Sequence, residues 1–360
     1  MKSKRALVYS VLLTVLTSAC KKQNSGGNPP APLPPVAKKA IVSTYAGDGT
    51  DGFLNGPLLS AQFETPVDIA ISSDGILYVA DYNDRRIRKI AGGQVSVLAG
   101  DGGFGTRNGA GDTAQFVDPY RIEVDRSGNV IELDQADSRV RLITPSGVVS
   151  TFAGSGTGGF KDGDVSVALF RQSMGGIATD GQGDIYIDDT NNGRIRKINA
   201  AGQVSTFAGK EAKGFVDGDT SVAEFLNPNA ILFDRQGNMF VADNGNYCIR
   251  KITPTGQVSQ FTGTGTTGTA DGAPGVAQFH YIYDMVIDKD GNLLLTDGDR
   301  IRKVTPSGEV STIAGSTTGY VEGEGSVAKF NYPAGLAIDT DGNLYVADAN
   351  NNRIRKVSFR

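Results

Sequence analysis

The chain has 360 residues and a formal net charge of −4, with a sequence pI near 5.2. An acidic chain lacks the broad positive surface that a nucleic-acid backbone requires, so no nucleic-acid partner is expected. Glycine contributes 48 residues, about twice the usual ~7%, which indicates many turns. One histidine and two cysteines argue against a multi-histidine zinc site and a disulfide framework.

The N-terminus has the pattern of an export signal. MKSKR is basic, and ALVYSVLLTVLTSA is an apolar run of secretory length that is short for a membrane span. The run ends in LTSAC, which resembles a bacterial lipoprotein lipobox although Thr17 stands where leucine is commonest. The resemblance implies a signal peptide over residues 1–19 and lipid on Cys20. The alternative is an ordinary cleaved signal with an incidental cysteine.

Residues 20–39 form a polar segment rich in proline and glycine. The stretch KKQNSGGNPPAPLPPVAKK has few side chains to bury, so it predicts an extended tether behind Cys20. Together, the signal and the tether predict an exported protein of the cell envelope. Its lipid would anchor it to a bacterial membrane, facing the periplasm or displayed at the surface.

Residues 40–360 contain one unit repeated six times. The second arginines of the basic clusters lie 53, 55, 54, 52 and 53 residues apart, which is the signature of a repeat architecture. Each unit contains the equivalents of PAGLAID, GNLYVAD, NNRIRKV and GEVSTIAG, four alternating segments separated by turn residues. Four short antiparallel strands per unit predict an all-β, six-bladed β-propeller.

The ends of the repeat region predict how the ring closes. AIVSTYAG at residues 40–47 matches a fourth strand, whereas the chain ends in NRIRKVSFR, a third strand. The N-terminal strand is therefore expected to complete the last blade and cover its edge. The stretch GNLYVADANNNRIRKV also resembles the NHL repeat, whose common form is GNIYVADTGNHRI. This resemblance extends over all six copies and implies an NHL-type propeller.

The basic clusters accompany an aspartate at the end of every second strand. Hairpin geometry places each aspartate across the turn from the first arginine of its cluster. Further along, Val346 faces Arg355, whose stem is expected to lie on apolar surface with its head group paired. In blade two Glu132 takes the valine place, and Arg141 is its expected neighbour and partner. Such paired charges, spread evenly around a ring, favour a scaffold role over phosphate binding.

Four glycine-rich connections fit G-x-G-x-x-G, among them GSGTGG. A dinucleotide fingerprint requires a helix within a βαβ unit. These connections instead precede segments such as GFKDGDVSVALF, in which Ala168 and Phe170 are expected on a short helical turn between blades. The glycines are therefore expected to serve tight turns.

The start of the inner strand differs most among the repeats. Blades three and six carry small residues there, whereas blades one, two and five carry charged and aromatic side chains that converge on the axis. Departures from the residue type that other repeats carry at the same position concentrate at functional sites. The predicted ligand site at the channel mouth comprises Asp68, Tyr120, Arg121, Glu123, Asn229, His280, Tyr283 and Asp284. The alternative is a water-filled channel whose charges only satisfy one another.

Arg121 is expected to anchor the ligand, with Glu123 as its partner, and the two tyrosines are expected to stack on an apolar or sugar face. The sequence therefore favours a scaffold that binds a protein, peptide or glycan, without a cofactor and without catalytic residues. The alternative is a lactonase-like hydrolase with Ca²⁺ or another divalent cation in the channel. That reading rests on fold analogy, and its oxygen ligands would be Asp68, Glu123, Asn229 and Asp284.

Overall fold

The structure, a computed structural model, describes residues 39–360. The predicted signal peptide, Cys20 and the tether up to residue 38 lie outside the described residues. Between residues 39 and 360, no helix is long and apolar enough to cross a membrane.

Six antiparallel sheets form the six blades of a β-propeller, as the repeats predicted. The inner strands of blades one to six are Pro66–Ile71, Pro119–Val124, Ile177–Thr179, Pro228–Phe233, Ile282–Ile287 and Pro333–Ile338. Inner strands of consecutive blades contact each other around the whole ring, including blade six against blade one. The second strands, buried along their whole length, are Leu77–Asp81, Val130–Asp134, Ile185–Asp189, Met239–Asp243, Leu293–Asp297 and Leu344–Asp348.

The third strands carry the basic clusters, and the outer strands follow them. The third strands are Arg86–Ala91, Arg139–Ile143, Arg194–Ile198, Cys248–Ile252, Arg300–Val304 and Arg353–Phe359. The outer strands are Gln94–Ala99, Val149–Ala153, Gln203–Gly209, Gln257–Thr262, Val310–Ala314 and, for blade six, Ala40–Ala46.

Four blades have a fifth, two-residue strand beyond the four that the repeats predicted. These strands are Gly56–Pro57, Gly163–Asp164, Gly218–Asp219 and Gly323–Glu324. The 3-10 helices of the described chain are Leu58–Ser60, Thr190–Asn192, Asn244–Asn246 and Ala349–Asn351. The turn predicted near Ala168 is a single hydrogen-bonded turn, in which Ala168 N–H donates to Asp164 O at 2.9 Å.

The N-terminal strand closes the ring as predicted. Ala40–Ala46 pairs antiparallel with Arg353–Phe359, with Val42 opposite Val357. The pairing continues past both strands, since Lys39 N–H donates to Arg360 O at 2.8 Å and Arg360 N–H returns to Lys39 O at 3.0 Å. The last blade is therefore built from both ends of the repeat region.

The second arginine of each cluster is a buried part of the scaffold. Arg355 Nη1 donates to Asp348 Oδ2 at 2.8 Å and to Lys329 O at 3.2 Å. Its guanidinium lies between two rings, 5.3 Å from the centroid of Phe330 and 4.6 Å from that of Tyr320. The equivalent arginines of all six blades are fully buried: Arg88, Arg141, Arg196, Arg250, Arg302 and Arg355. Desolvation of a guanidinium is tolerated here because each has a carboxylate or carbonyl partner.

The predicted register is confirmed, but the partner of the aspartate differs from the sequence expectation. Asp348 lies opposite Arg353 and Val346 lies opposite Arg355. The ion pair nevertheless forms along the diagonal, from Asp348 to Arg355. Arg353, at the turn, donates to Asn351 O at 3.1 Å and remains partly exposed.

Glu132 is opposite Arg141, as predicted, but the two side chains form no hydrogen bond. Arg141 instead donates to Gln115 O at 3.1 Å and to Asn108 Oδ1 at 2.8 Å. Both Glu132 carboxylate oxygens are buried without a hydrogen-bond partner in the described chain. Burial, followed by the charge of Asp134, raises the pKa of Glu132 well above its usual value. The expected pairing was therefore wrong, and burial favours the protonated form of Glu132.

Replacing Glu132 by valine, the residue at this position in blades one, four and six, is expected to raise the free energy of unfolding by about 1–3 kcal/mol near neutral pH. In the wild type the unfolded carboxyl ionises above about pH 4.3, whereas burial raises the pKa of the folded carboxyl and favours its protonated form. Wild-type stability therefore falls as pH rises through that window, and the advantage of the variant grows. Urea unfolding at pH 4 and pH 7 measures this change. Glu132→Gln serves as the control, which should lose the pH dependence but keep a buried polar group. A stability advantage of Glu132→Val that shrinks as the pH rises would contradict the raised pKa of Glu132.

Candidate ligand-binding site at the channel mouth

Arg121 reaches across the central channel. The side chain is 3% exposed and leaves the inner strand of blade two. Its Nε donates to Gly175 O in blade three at 2.8 Å, and its Nη2 donates to Tyr283 O in blade five. Nη1 lies 3.5 Å from Asp68 Oδ1 in blade one. One guanidinium thus connects four blades, and its carboxylate partner is Asp68 rather than the expected Glu123.

Asp68 and Asp284 each accept a backbone N–H from the next blade. Asp68 Oδ2 accepts from Ile122 N and Asp284 Oδ2 from Leu336 N, both at 2.7 Å. An inner strand is the edge of its sheet, so N–H groups that face the channel need such acceptors. Burial raises the pKa of Asp68 to about 7 although Arg121 opposes the shift. It raises the pKa of Asp284 as well.

Glu123 lies beyond Arg121, inside the channel. The cavity there has a volume of about 310 Å³ and is lined by the inner strands from Asp68, Arg121 and Asp284 to their C-terminal ends. Glu123 Oε1 accepts from the Thr179 hydroxyl at 3.4 Å. Burial, with the charges of Asp68 and Asp284, raises the pKa of Glu123 to about 8. Because Arg121 stands between Glu123 and the strand beginnings, Glu123 does not share the mouth with the tyrosines.

Three tyrosines from blades five and six surround one side of the mouth. Tyr283 packs against Tyr281 at 4.7 Å and against Tyr332 at 4.6 Å between ring centroids. All three are half-buried, and burial is the first cause that raises the pKa of Tyr283, to about 12. A second group stands on blades one and two, where Tyr82 meets Tyr120 at 6.4 Å. We call these five residues the tyrosine mouth.

The floor of the tyrosine mouth is Arg121, whose guanidinium lies 5.0 Å from the centre of the Tyr120 ring. Aligning the six repeats with one another pointed to Tyr120 and Tyr283, because these two tyrosines stand at the same aligned position of the inner strand. It missed Tyr82, Tyr281 and Tyr332, which come from neighbouring positions and from the loop after the second strand. The tyrosines placed just before inner strands, as in NYPAG, were the available signal.

Asn229 supports the tyrosine mouth from blade four. It is buried, its Nδ2 donates to Tyr283 O at 3.0 Å, and its Oδ1 accepts from the Tyr281 hydroxyl at 3.4 Å. His280, which precedes Tyr281 in the chain, is exposed, and its backbone N–H donates to Asp297 Oδ1 at 2.7 Å. Asn229 therefore positions aromatic rings, whereas the described contacts give the His280 side chain no such role.

Asp188, which the sequence comparison did not select, is buried near the same level of the channel. It occupies the alanine place of the second strand in blade three, in IYIDD. Its Oδ2 lies 2.7 Å from where a Cβ of Gly176 would stand, and neither carboxylate oxygen has a hydrogen-bond partner within residues 39–360. Burial raises the pKa of Asp188 well above its usual value, while Arg121 opposes the shift. The missing side chain of Gly176 makes the space for this acid.

Three of the four donors proposed for the alternative metal site, Asp68, Glu123 and Asp284, line the same cavity. Asn229 is not part of that lining, and its Nδ2 donates to Ile282 O and Tyr283 O. Within residues 39–360, no group of three or more histidine, cysteine, aspartate or glutamate side chains is arranged to hold a metal ion.

Residues 330–357 match the family model described as NHL repeat. Teneurin-3 of Mus musculus is 27% identical over 375 residues, which cover 88% of this chain and only 13% of that protein. An auxiliary nutrient binding protein from Bacteroides thetaiotaomicron has a TM-score of 0.68 at 18% identity, over 89% of this chain and 77% of that chain. Virginiamycin B lyase from Staphylococcus aureus has a TM-score of 0.53 at 16% identity, over 89% of this chain and 99% of that chain. These structural similarities support the propeller fold.

Proposed function

We propose that the protein is a binding scaffold whose ligand, a protein, peptide or glycan, lies on the tyrosine mouth. The observation that carries the proposal is the convergence of five half-buried tyrosines from four blades around Arg121. Tyrosines offer a rigid apolar face and a hydroxyl at low entropic cost, which suits peptide side chains and sugar rings. The name of the Bacteroides relative, a nutrient binding protein, is consistent with a ligand of this kind.

Arg121 acts in this proposal as the fixed floor of the site rather than as a free anchor. Three of its donor atoms are directed at Gly175 O, Tyr283 O and Asp68. Because these partners engage its donors, the guanidinium offers few free N–H groups to a ligand. The site therefore favours ligands that offer hydroxyl groups or apolar faces over free carboxylates.

Paired alanine substitutions at Tyr283 and Tyr332 should weaken ligand binding by at least about tenfold, as expected when two aromatic contacts are removed. Glycan arrays and peptide arrays probed with the purified protein identify the ligand and compare the variants. Tyr320→Ala is the matched control, because Tyr320 is an exposed ring on the arginine scaffold, away from the mouth. Equal binding by the double variant, with its fold retained, would remove the tyrosine mouth as the site.

The alternative is a metal-dependent lactonase-like hydrolase, in which Asp68, Glu123 and Asp284 would supply carboxylates in the cavity. Metal analysis of the purified protein, with lactone hydrolysis as the activity readout, separates it from a binding scaffold. One bound divalent cation per chain together with lactone turnover would favour the hydrolase.

We further propose that the protein is exported and held at a bacterial membrane by lipid on Cys20. Cys20→Ser should move it from the membrane fraction to the soluble fraction, because lipid would be its anchor once the signal is removed. Cys248→Ser is the control, since Cys248 is a buried free cysteine. A Cys20→Ser protein that still sediments with membranes would contradict the lipid anchor.

A further inference from the structure

Four of the six blades carry an aromatic ring at the second position of the second strand, whereas blades two and five carry Ile131 and Leu294 there. In blade three this ring is Tyr186, which packs at 5.0 Å on Phe207 of the outer strand and at 4.9 Å on Phe233 of blade four. Lys197 lies over the same ring at 5.3 Å. The Tyr186 hydroxyl donates to Asp180 Oδ2, in the turn after the inner strand, at 3.2 Å.

The arrangement recurs in blade six with the same geometry. Tyr345 packs on Tyr45 at 4.8 Å, and Lys356 lies 5.3 Å from its ring centre. The Tyr345 hydroxyl donates to Asp339 Oδ2 at 3.2 Å, and that oxygen also accepts from Asn343 Nδ2 at 2.8 Å. The fold therefore shows twice how a phenol is held between blades.

Blade two departs from this arrangement at three places that face one another. Ile131 stands where the aromatic ring is, Leu142 stands where the lysine is, and Thr179 of blade three stands where blade four carries Phe233. Phe152 of the outer strand is retained. The smaller side chains remove a ring and a charge from one interface.

A cavity of about 560 Å³ lies at this interface, within the size range of small-molecule sites. Its apolar wall consists of Ile131, Leu142, Phe152, Val165, Ile185 and Ile198. Its polar rim includes Asp125, the counterpart of Asp339. Asp125 Oδ1 accepts from Ser127 N and Asn129 N at 2.8 Å, and Oδ2 accepts from Asn129 Nδ2 at 2.8 Å. Asp125 Oδ2 thus has the same turn partner as Asp339 Oδ2 but no tyrosine hydroxyl.

We propose that the cavity between blades two and three binds a small phenol. Its ring lies among Ile131, Leu142 and Phe152, and its hydroxyl donates to Asp125 Oδ2. The ligand replaces the tyrosine that blades three and six provide from their own sequence. The site is separate from the tyrosine mouth, so the two proposals can fail independently.

Calorimetric titration of the whole chain with p-cresol, toluene and N-acetyltyrosinamide tests this proposal. We expect p-cresol to bind about tenfold or more tightly than toluene, because only p-cresol can donate a hydrogen bond to the Asp125 carboxylate. Binding of N-acetyltyrosinamide as tight as that of p-cresol would assign the site to a tyrosyl group of a peptide and overturn the small-molecule assignment. Equal binding of p-cresol and toluene, or no binding of p-cresol at millimolar concentration, would overturn the proposal.

Three variants test where p-cresol binds on the protein. Ile131→Tyr should abolish p-cresol binding and raise the melting temperature, since it restores the internal ring. Asp125→Asn should reduce the p-cresol affinity about tenfold and leave toluene unchanged, whereas Asp339→Asn in blade six should change neither. Should Ile131→Tyr not fold, the Asp125→Asn comparison decides alone. Unchanged p-cresol binding in Asp125→Asn would place the phenol elsewhere.

Discussion

Replacing Arg355 by alanine is expected to lower the free energy of unfolding by about 3–5 kcal/mol, because the buried Asp348 carboxylate would lose its cation. The guanidinium also leaves a gap between Phe330 and Tyr320, and three of its hydrogen bonds disappear. Urea unfolding followed by circular dichroism measures the loss.

Arg353→Ala is the matched control for this substitution. Arg353 comes from the same cluster, is partly exposed, and bonds to backbone carbonyls at the turn. We expect a loss of no more than about 1 kcal/mol. Equal losses in the two variants would contradict the division between a buried and a surface arginine. Arg355→Lys should remain well below the wild type, because lysine cannot reproduce the planar fork.

Deleting Lys39–Gly47 is expected to cost several kcal/mol out of a total of about 5–15 kcal/mol. The deletion removes the outer strand of blade six together with the buried Val42 and Ala46, and it exposes the edge of Arg353–Phe359. We therefore expect a much lower melting temperature and aggregation through the open edge. Differential scanning calorimetry and light scattering measure these two effects.

A deletion of equal length within the predicted tether, residues 28–36, is the control. The tether sequence offers little to bury, so this deletion should leave the melting temperature unchanged. An unchanged melting temperature in the Lys39–Gly47 deletion would mean that the N-terminal strand does not close the ring.

The sequence predicted the ring well because the same pattern of four strands occurs in six copies. A period near 53 residues and a fourth strand at the N-terminus were enough to derive six blades and their closure. The strand register was less informative about which side chains form ion pairs. Asp348 lies opposite Arg353, but it binds Arg355, because the longer diagonal contact allows the guanidinium to lie buried between two aromatic rings.

The candidate site was only partly accessible from the sequence. Comparing one position in six repeats selected Arg121, Asp68 and Asp284, which the structure brings together. It also suggested Glu123 as the partner of Arg121, because residues two apart point the same way along a strand. The comparison could not show that Arg121 reaches across the axis to blade five, since contacts between distant blades leave no local pattern.

The cavity between blades two and three differs from the channel mouth, because it results from side chains that blade two lacks. Ile131 and Leu142 are ordinary strand residues, and neither suggests a site alone. Their meaning depends on Tyr186 and Lys197 in the next blade, and on Thr179 facing them. A comparison of side-chain volume at each repeat position would have selected this interface.

Hydroxyl-radical footprinting of the protein with its strongest array ligand tests the central claim, that ligands bind on the tyrosine mouth. Mass spectrometry reads the protection of each tyrosine-containing peptide. We predict protection at Tyr82, Tyr120, Tyr281, Tyr283 and Tyr332, with Tyr320 and Tyr345 unchanged. Protection at Tyr320 or at the blade edges, with the mouth tyrosines as reactive as in the free protein, would contradict the account.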